Sequence, residues 1–193
     1  MLNLSHGSVR KALSLLGILA FAATFAPAQA LVTAQRGSEI APFAQYTLLS
    51  PDWGQPRDHG YTAGIDYTRF IRSIVQPSLE LRTTSASGSA VGEHSYVGGL
   101  KLQTVAIHGI RPYATFLAGK GFITFDNPIN GYTGDNSFIV SLGGGAVFPI
   151  HSQLDMRLDF AWQRWNIDPQ ILNPTTLGIG FAYRIPVHKG RVE

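Results

Sequence analysis

The chain of 193 residues contains no cysteine. That excludes a disulfide scaffold, a thiolate metal site, a cysteine nucleophile and a lipid-anchored N-terminal cysteine. Charged residues are scarce, at 14%, against about 25% in ordinary soluble proteins. Yet no run of about 20 apolar residues occurs, so the chain does not cross a membrane by helices. Nor is there a real excess of one sign. The formal charge is +3, but Arg10 and Lys11 lie in the first thirty residues, and beyond them thirteen bases face twelve acids. A pI near 9.3 therefore leaves no electrostatic footprint for nucleic acid, and none is expected as a partner.

What is present begins with an address. Arg10 and Lys11 form a basic start, residues 12–25 are apolar, and Ala28, Gln29 and Ala30 form a small-x-small site after Pro27. This order is that of a secretory signal peptide over residues 1–30, removed after Ala30. The apolar stretch is too short for a spanning anchor.

Residues 31–193 read with period two. From Leu154 to Trp162, Leu154, Met156, Leu158, Phe160 and Trp162 alternate with Asp155, Arg157, Asp159 and Ala161. Successive strand side chains point to opposite faces, so this is an amphipathic strand. A helix would scatter the three charges around its circumference. The same pattern places strands near residues 41–49, 60–70, 78–85, 96–106, 111–125, 137–150, 154–167 and 176–185. That makes eight, most about ten residues long, which is the length that crosses a bilayer when tilted. Residues 186–193 are left as a short polar tail. Connections near 51–59, 86–95, 126–136 and 168–174 read as long polar loops, and those near 108–110 and 151–153 as tight turns. The link near 71–77 is intermediate in length; otherwise long loops at one end and short turns at the other fit an outer-membrane barrel, with both termini on the periplasmic side.

Alternation shows two faces without saying which meets solvent. A soluble carrier turns its apolar face inward, and a membrane barrel turns it outward. The polar faces carry too few charges for a solvated surface. Glycine is dense within the strands, as a small closed barrel requires. Trp162 and Trp165 read as an interfacial aromatic girdle. The expected fold is therefore all-β: an eight-stranded antiparallel up-and-down transmembrane β-barrel. In that orientation Asp66, Glu80, Arg82, Lys101, Lys120, Asp155, Arg157 and Asp159 point into the lumen, with Arg184 at its edge. Buried charges must pair, so the lumen should be an ion-pair network rather than an open pore.

These features resemble the small outer-membrane barrels of OmpA/OmpX type. The resemblance covers nearly all of the chain beyond residue 30. Its strongest local motif is the final strand, where Thr176, Gly178, Phe181 and Tyr183 match the polar–glycine–aromatic spacing of an outer-membrane assembly signal. The resemblance implies outer-membrane lipids, lipopolysaccharide and the barrel-assembly machinery as partners, and a Gram-negative-type outer membrane as the location. It departs in the tail after Ile185 and in lacking a peptidoglycan-binding domain.

Chemistry-bearing constellations are few. Gly143, Gly144 and Gly145 lack the Lys-Ser/Thr of a phosphate loop. His59, His94, His108, His151 and His188 share no metal spacing. Asp155 and Asp159 share a face, but Arg157 stands between them, which favours ion pairing over acid–base work. His151 and Ser152 are adjacent, in a turn and without an evident acid, so no nucleophile–base–orienter set emerges. No cofactor is expected, and the chain reads as a structural envelope protein rather than an enzyme. Residues 126–136, with Tyr132, are the best candidate for an extracellular recognition surface. A narrow channel, a lipid-modifying enzyme and a soluble carrier are the other readings.

Overall fold

The computed structural model describes residues 37–52, 57–88, 91–129, 132–167 and 170–189. The signal peptide expected over residues 1–30 lies outside the described residues. Ten strands follow in order: β1 (Gly37–Ser50), β2 (Asp58–Phe70), β3 (Val75–Ser87), β4 (Val91–Thr104), β5 (Arg111–Ile129), β6 (Tyr132–Pro149), β7 (Leu154–Ile167), β8 (Gln170–Leu172), β9 (Thr175–Tyr183) and β10 (Ile185–Lys189).

All pairings are antiparallel between neighbours, and β9 pairs with both β7 and β1, which closes the sheet on itself. Closure leaves no unpaired edge, as a lipid environment requires. The barrel has eight staves, because β8, β9 and β10 are successive pieces of the last one. Residues 186–193, expected as a free polar tail, are thus partly wall: Ile185–Lys189 pairs with Gly37–Ile40 of β1. Ile185 and Val187 are exposed on its outer side. The apolar–polar alternation runs past the last aromatic, so pairing continues with it.

One circuit shows how the staves are staggered. From Phe43 the register runs through Gly64, Arg82, Val97, Gly119 and Ile139 to Trp165. In the other direction Phe43 meets Ala182, which meets Asp155. The circuit therefore returns to β7 ten residues from where it set out. That stagger goes with strands tilted by about 35–45°, and at eight strands the interior is just wide enough for side chains.

The two ends differ from the sequence expectation. One end, called here the terminal end, holds the start of β1, the end of β10 and the links at 71–74, 105–110 and 150–153. In the second link His108 (φ 52°) and Gly109 (φ 81°) both take positive φ. They turn between Ile107 and Ile110, whose backbones exchange hydrogen bonds at 2.8 and 3.0 Å. Such a two-residue turn matches the twist of its strands. At the other, loop end, the long loops near 86–95 and 126–136 are mostly strand: β3 runs to Ser87 and β4 resumes at Val91. Past Phe125, the last β5 residue paired with β4, β5 and β6 stay extended and meet again at Ile129 and Tyr132 after a break in register. Of the candidate recognition segment 126–136, Gly134, Asp135 and Asn136 are wall, paired with Thr124, Ile123 and Phe122, and residues 130–131 lie outside the described residues. Polar and glycine residues in these stretches hide the pairing from a reading of alternation alone.

Candidate functional site

The chemistry of the molecule sits where the two faces of each strand part. On β7 Asp155, Arg157, Asp159 and Ala161 are buried, while Leu158 and Phe160 are exposed and Leu154 and Met156 partly so. The same holds round the barrel. Leu79, Leu81, Phe116, Phe138, Leu177, Ile179 and Phe181 are each more than half exposed, while Asp66, Glu80, Lys101 and Arg157 are at most 3% exposed. No aqueous surface tolerates a continuous apolar belt of this extent. The wall is built to meet lipid, and the ionic groups are enclosed.

Arg157 is the centre of the enclosed network and is fully buried. Its Nη1 donates to Asp66 Oδ2 at 3.1 Å, and its Nη2 to Glu80 Oε2 and Asp159 Oδ2, both at 2.8 Å. Arg82 forks onto both oxygens of Asp159 at 3.2 Å and also pairs with Glu80. Lys101 pairs with Asp66. Nearer the terminal end Asp155 takes Arg111, with Arg184 Nε at 3.0 Å. Tyr113 donates to Asp159 Oδ2 at 2.7 Å and accepts from Arg157 Nε at 3.0 Å. The Arg157 guanidinium also lies 4.0 Å from the Phe43 ring centroid. Gly64 gives that ring its room, since a Cβ there would stand 2.5 Å from Phe43 Cζ.

Seven of the eight charges expected in the lumen are there: Asp66, Glu80, Arg82, Lys101, Asp155, Arg157 and Asp159. Lys120 is not. It is exposed on the outer face, paired in register with Tyr96 and Phe138. Arg111 takes the inward place instead. The two exchange together because they differ by an odd number of positions, so placing either one inside places the other outside. Around 114–118 both faces are apolar or small, and the alternation that would have fixed the parity is lost.

Parity also corrects the girdle. Trp162 faces outward and is half-buried, but Trp165, three residues on, is 2% exposed inside the barrel. It joins Val91, Val97, Leu117, Ile123 and Ile139 in an apolar cluster at the loop end, with Phe125, Ile167 and Leu172 against it. Its Nε1 donates to Gln163 Oε1 at 2.8 Å. Gly121 makes the space, because a Cβ there would lie 2.4 Å from the indole. The lumen thus holds its ion-pair network in one half and, in the other, an apolar cluster set among Ser95, Ser137, Ser141 and Gln163. Between them run hydroxyl contacts, with Thr62 bonding Thr47 at 2.8 Å and Thr84 at 2.9 Å.

On the closing strand Thr176 and Gly178 face inward while Phe181 and Tyr183 face outward, 55% and 46% exposed. Ser152 Oγ and His151 Nδ1 are 3.0 Å apart in an exposed turn. Gly143, Gly144 and Gly145 lie within β6.

Several solved structures with this architecture are outer-membrane proteins. Neisserial surface protein A superposes with a TM-score of 0.54 at 11% identity, covering 77% of this chain and 97% of its own. The attachment invasion locus protein Ail of Yersinia pestis gives 0.54 at 15% identity, covering 78% and 100%. A major outer membrane protein of Thermus thermophilus gives 0.52 at 10%, again covering 78% and 100%. The fold is that of the small eight-stranded outer-membrane barrels. No family model and no curated protein matches the chain by sequence. At these identities the likeness speaks for the fold alone.

Proposed function

We propose that the protein is a structural, non-conducting barrel of a Gram-negative-type outer membrane, exported by the signal peptide of residues 1–30. Its role is to stabilise the envelope and present the β5–β6 hairpin at the surface. The observation that carries this reading is the closed lumen. In the ionic half, the void lined by Asp66, Lys101, Arg111, Asp155 and Arg157 measures about 10 Å³, no more than one water molecule requires. In the other half Trp165 packs inside the bore with Val91, Val97, Leu117, Ile123 and Ile139. A water path would need both halves to open, and eight staves leave little space for that.

Two features support the membrane half of the reading. The outer belt is apolar, and aromatic side chains stand on it near both ends, with Tyr46, Tyr61 and Tyr96 toward the loops and Tyr67 and Tyr183 toward the termini. Thr176, Gly178, Phe181 and Tyr183 on the closing strand support recognition by the barrel-assembly machinery. The outward Phe181 and Tyr183 are open to a partner before the barrel seals. The reading includes no catalytic role and no cofactor.

Planar-bilayer recording of the refolded protein tests it. We expect heat-modifiable gel mobility, the mark of a closed barrel, and no discrete conductance steps. Stepwise conductance would replace this reading with a narrow channel. Extraction of the mature protein without detergent would replace it with a soluble carrier.

A further inference from the structure

A groove runs up the outer wall across β1, β9 and β7 at the loop end. It measures about 160 Å³ and is lined by Leu48, Ser50, Arg57, Phe160, Thr175 and Leu177. The register explains its grading. Leu48 pairs with Leu177, which pairs with Phe160; one step nearer the loop end, Ser50 pairs with Thr175, which pairs with Trp162. The lining therefore passes from hydrocarbon through two hydroxyls to the exposed guanidinium of Arg57. Arg164 also faces outward on β7, two residues beyond Trp162. Asp52, at the same rim, is already engaged: its Oδ2 accepts from the Asn173 backbone N–H at 2.9 Å and from Asn173 Nδ2 at 3.2 Å.

We propose that this groove seats an acyl chain of a phosphate-bearing lipid, with the phosphate held by Arg57. Charge and solvent argue for it together. A groove opening sideways from a lipid-facing wall meets acyl chains, not solutes. Its floor of Leu48, Leu177 and Phe160 offers a sugar or a free anion nothing. Its mouth offers a guanidinium, whose planar fork matches phosphate oxygens. Among the described residues no carboxylate is within ion-pairing distance of Arg57. Trp162 beside the groove marks the depth at which headgroups lie. The inference rests on the membrane-embedded reading above and adds to it one defined lipid seat.

The test uses native mass spectrometry of the detergent-folded protein with diphosphoryl lipid A as the probe. Dephosphorylated lipid A and sodium phosphate serve as comparisons. One bound lipid A is expected. Dephosphorylated lipid A, or the Arg57→Ala variant, should lower retention about tenfold, and Arg57→Glu further. Sodium phosphate at the same concentration should not displace the lipid. Arg69→Ala, on the outer face at the opposite end, should change nothing. Equal retention by Arg57→Ala, or by the dephosphorylated lipid, would overturn the proposal. Displacement by sodium phosphate would also overturn it, since it would mean an ion site without a chain. Gel mobility is recorded on every sample. Failure of the wild type to show heat-modifiable mobility would count against the membrane reading. Folded protein with unselective binding would count against the groove alone.

Discussion

Toward the terminal end the lumen is filled by Arg157 and the carboxylates of Asp66, Glu80 and Asp159. Toward the loop end, on the same strand, Trp165 is packed among Leu117, Ile123 and Ile139. Both halves are packed with side chains, but by opposite means. In the ionic half each group is tied to several others, so its geometry is fixed and its failure is expensive. In the apolar half closure depends on shape, and each side chain contributes through the volume it fills. A charged lumen is what the inverted pattern of a membrane barrel supplies by default. The apolar half needs another explanation, and closure of the bore is the one the geometry offers.

The sharpest way to break this contrast is to remove Arg157. Arg157→Met leaves Asp66, Glu80 and Asp159 facing one another with only Arg82 and Lys101 to balance them. Removing one partner from a buried ionic set costs about 3–5 kcal/mol. Urea unfolding of the lipid-folded protein, followed by tryptophan emission, should show a loss of that size. In the other half Trp165→Ala should cost about 3–5 kcal/mol as a large-to-small change. Its second effect would be distinctive: water enters the loop-end half, while the ion pairs at the terminal end persist. The two sites are eight residues apart on β7, roughly 26 Å at strand rise. Combining Arg157→Met with Trp165→Phe should therefore give additive losses to within about 0.5 kcal/mol. A larger coupling would show that the halves form one unit.

The lumen also differs from the wall that encloses it. Leu158 and Arg157 are neighbours in sequence and face opposite solvents. Leu158→Arg places a cation in hydrocarbon near the middle of its strand, at a cost of about 2–4 kcal/mol. Folding into thin-chain detergent should survive better than folding into bilayers. Equal folding in both would argue against this wall facing lipid.

How much of this was legible beforehand differs between the halves in the same way. The ionic half was readable because charges alternate with large apolar residues: Asp155, Arg157 and Asp159 against Met156, Leu158 and Phe160 leave no doubt about parity. Arg111 and Lys120 were exchanged because β5 between them offers Ala114, Thr115, Phe116, Leu117 and Ala118, which suit either face. The apolar half was invisible for the same reason. Leu117 and Ile139 sit on stretches that are apolar on both sides, with Phe116 and Ala118 or Phe138 and Val140 beside them, and such strands lose the alternation that labels a face; at Trp165 the pattern inverts instead, with Arg164 and Asn166 outward. The residue spacing nonetheless held a clue, since Trp162 and Trp165 differ by an odd number and cannot share one. The far ends of β5 and β6 carry glycine and polar residues, so no alternation labels them as strand.

The smallest expected effect tests the apolar half from within. Glu93 faces inward on β4, 4% exposed, next to Ile123 in register. Neither carboxylate oxygen has a hydrogen-bond partner among the described residues. The charged group that acts on it is Asp58, of the same sign. Every acid in the Arg157 network has at least one cation, whereas Glu93 has none among the described residues. Neutralising an acid should therefore have opposite signs in the two halves. Asp66→Asn removes the partner of Lys101 and should destabilise. Glu93→Gln removes a charge that no described residue compensates and should stabilise by about 1 kcal/mol at neutral pH, the lower end of what an unsatisfied buried group costs. Parallel urea titrations of the two variants measure both signs at once. A loss of stability in Glu93→Gln would mean that Glu93 has a cationic partner in the folded protein, and the loop-end half would then be ionic as well.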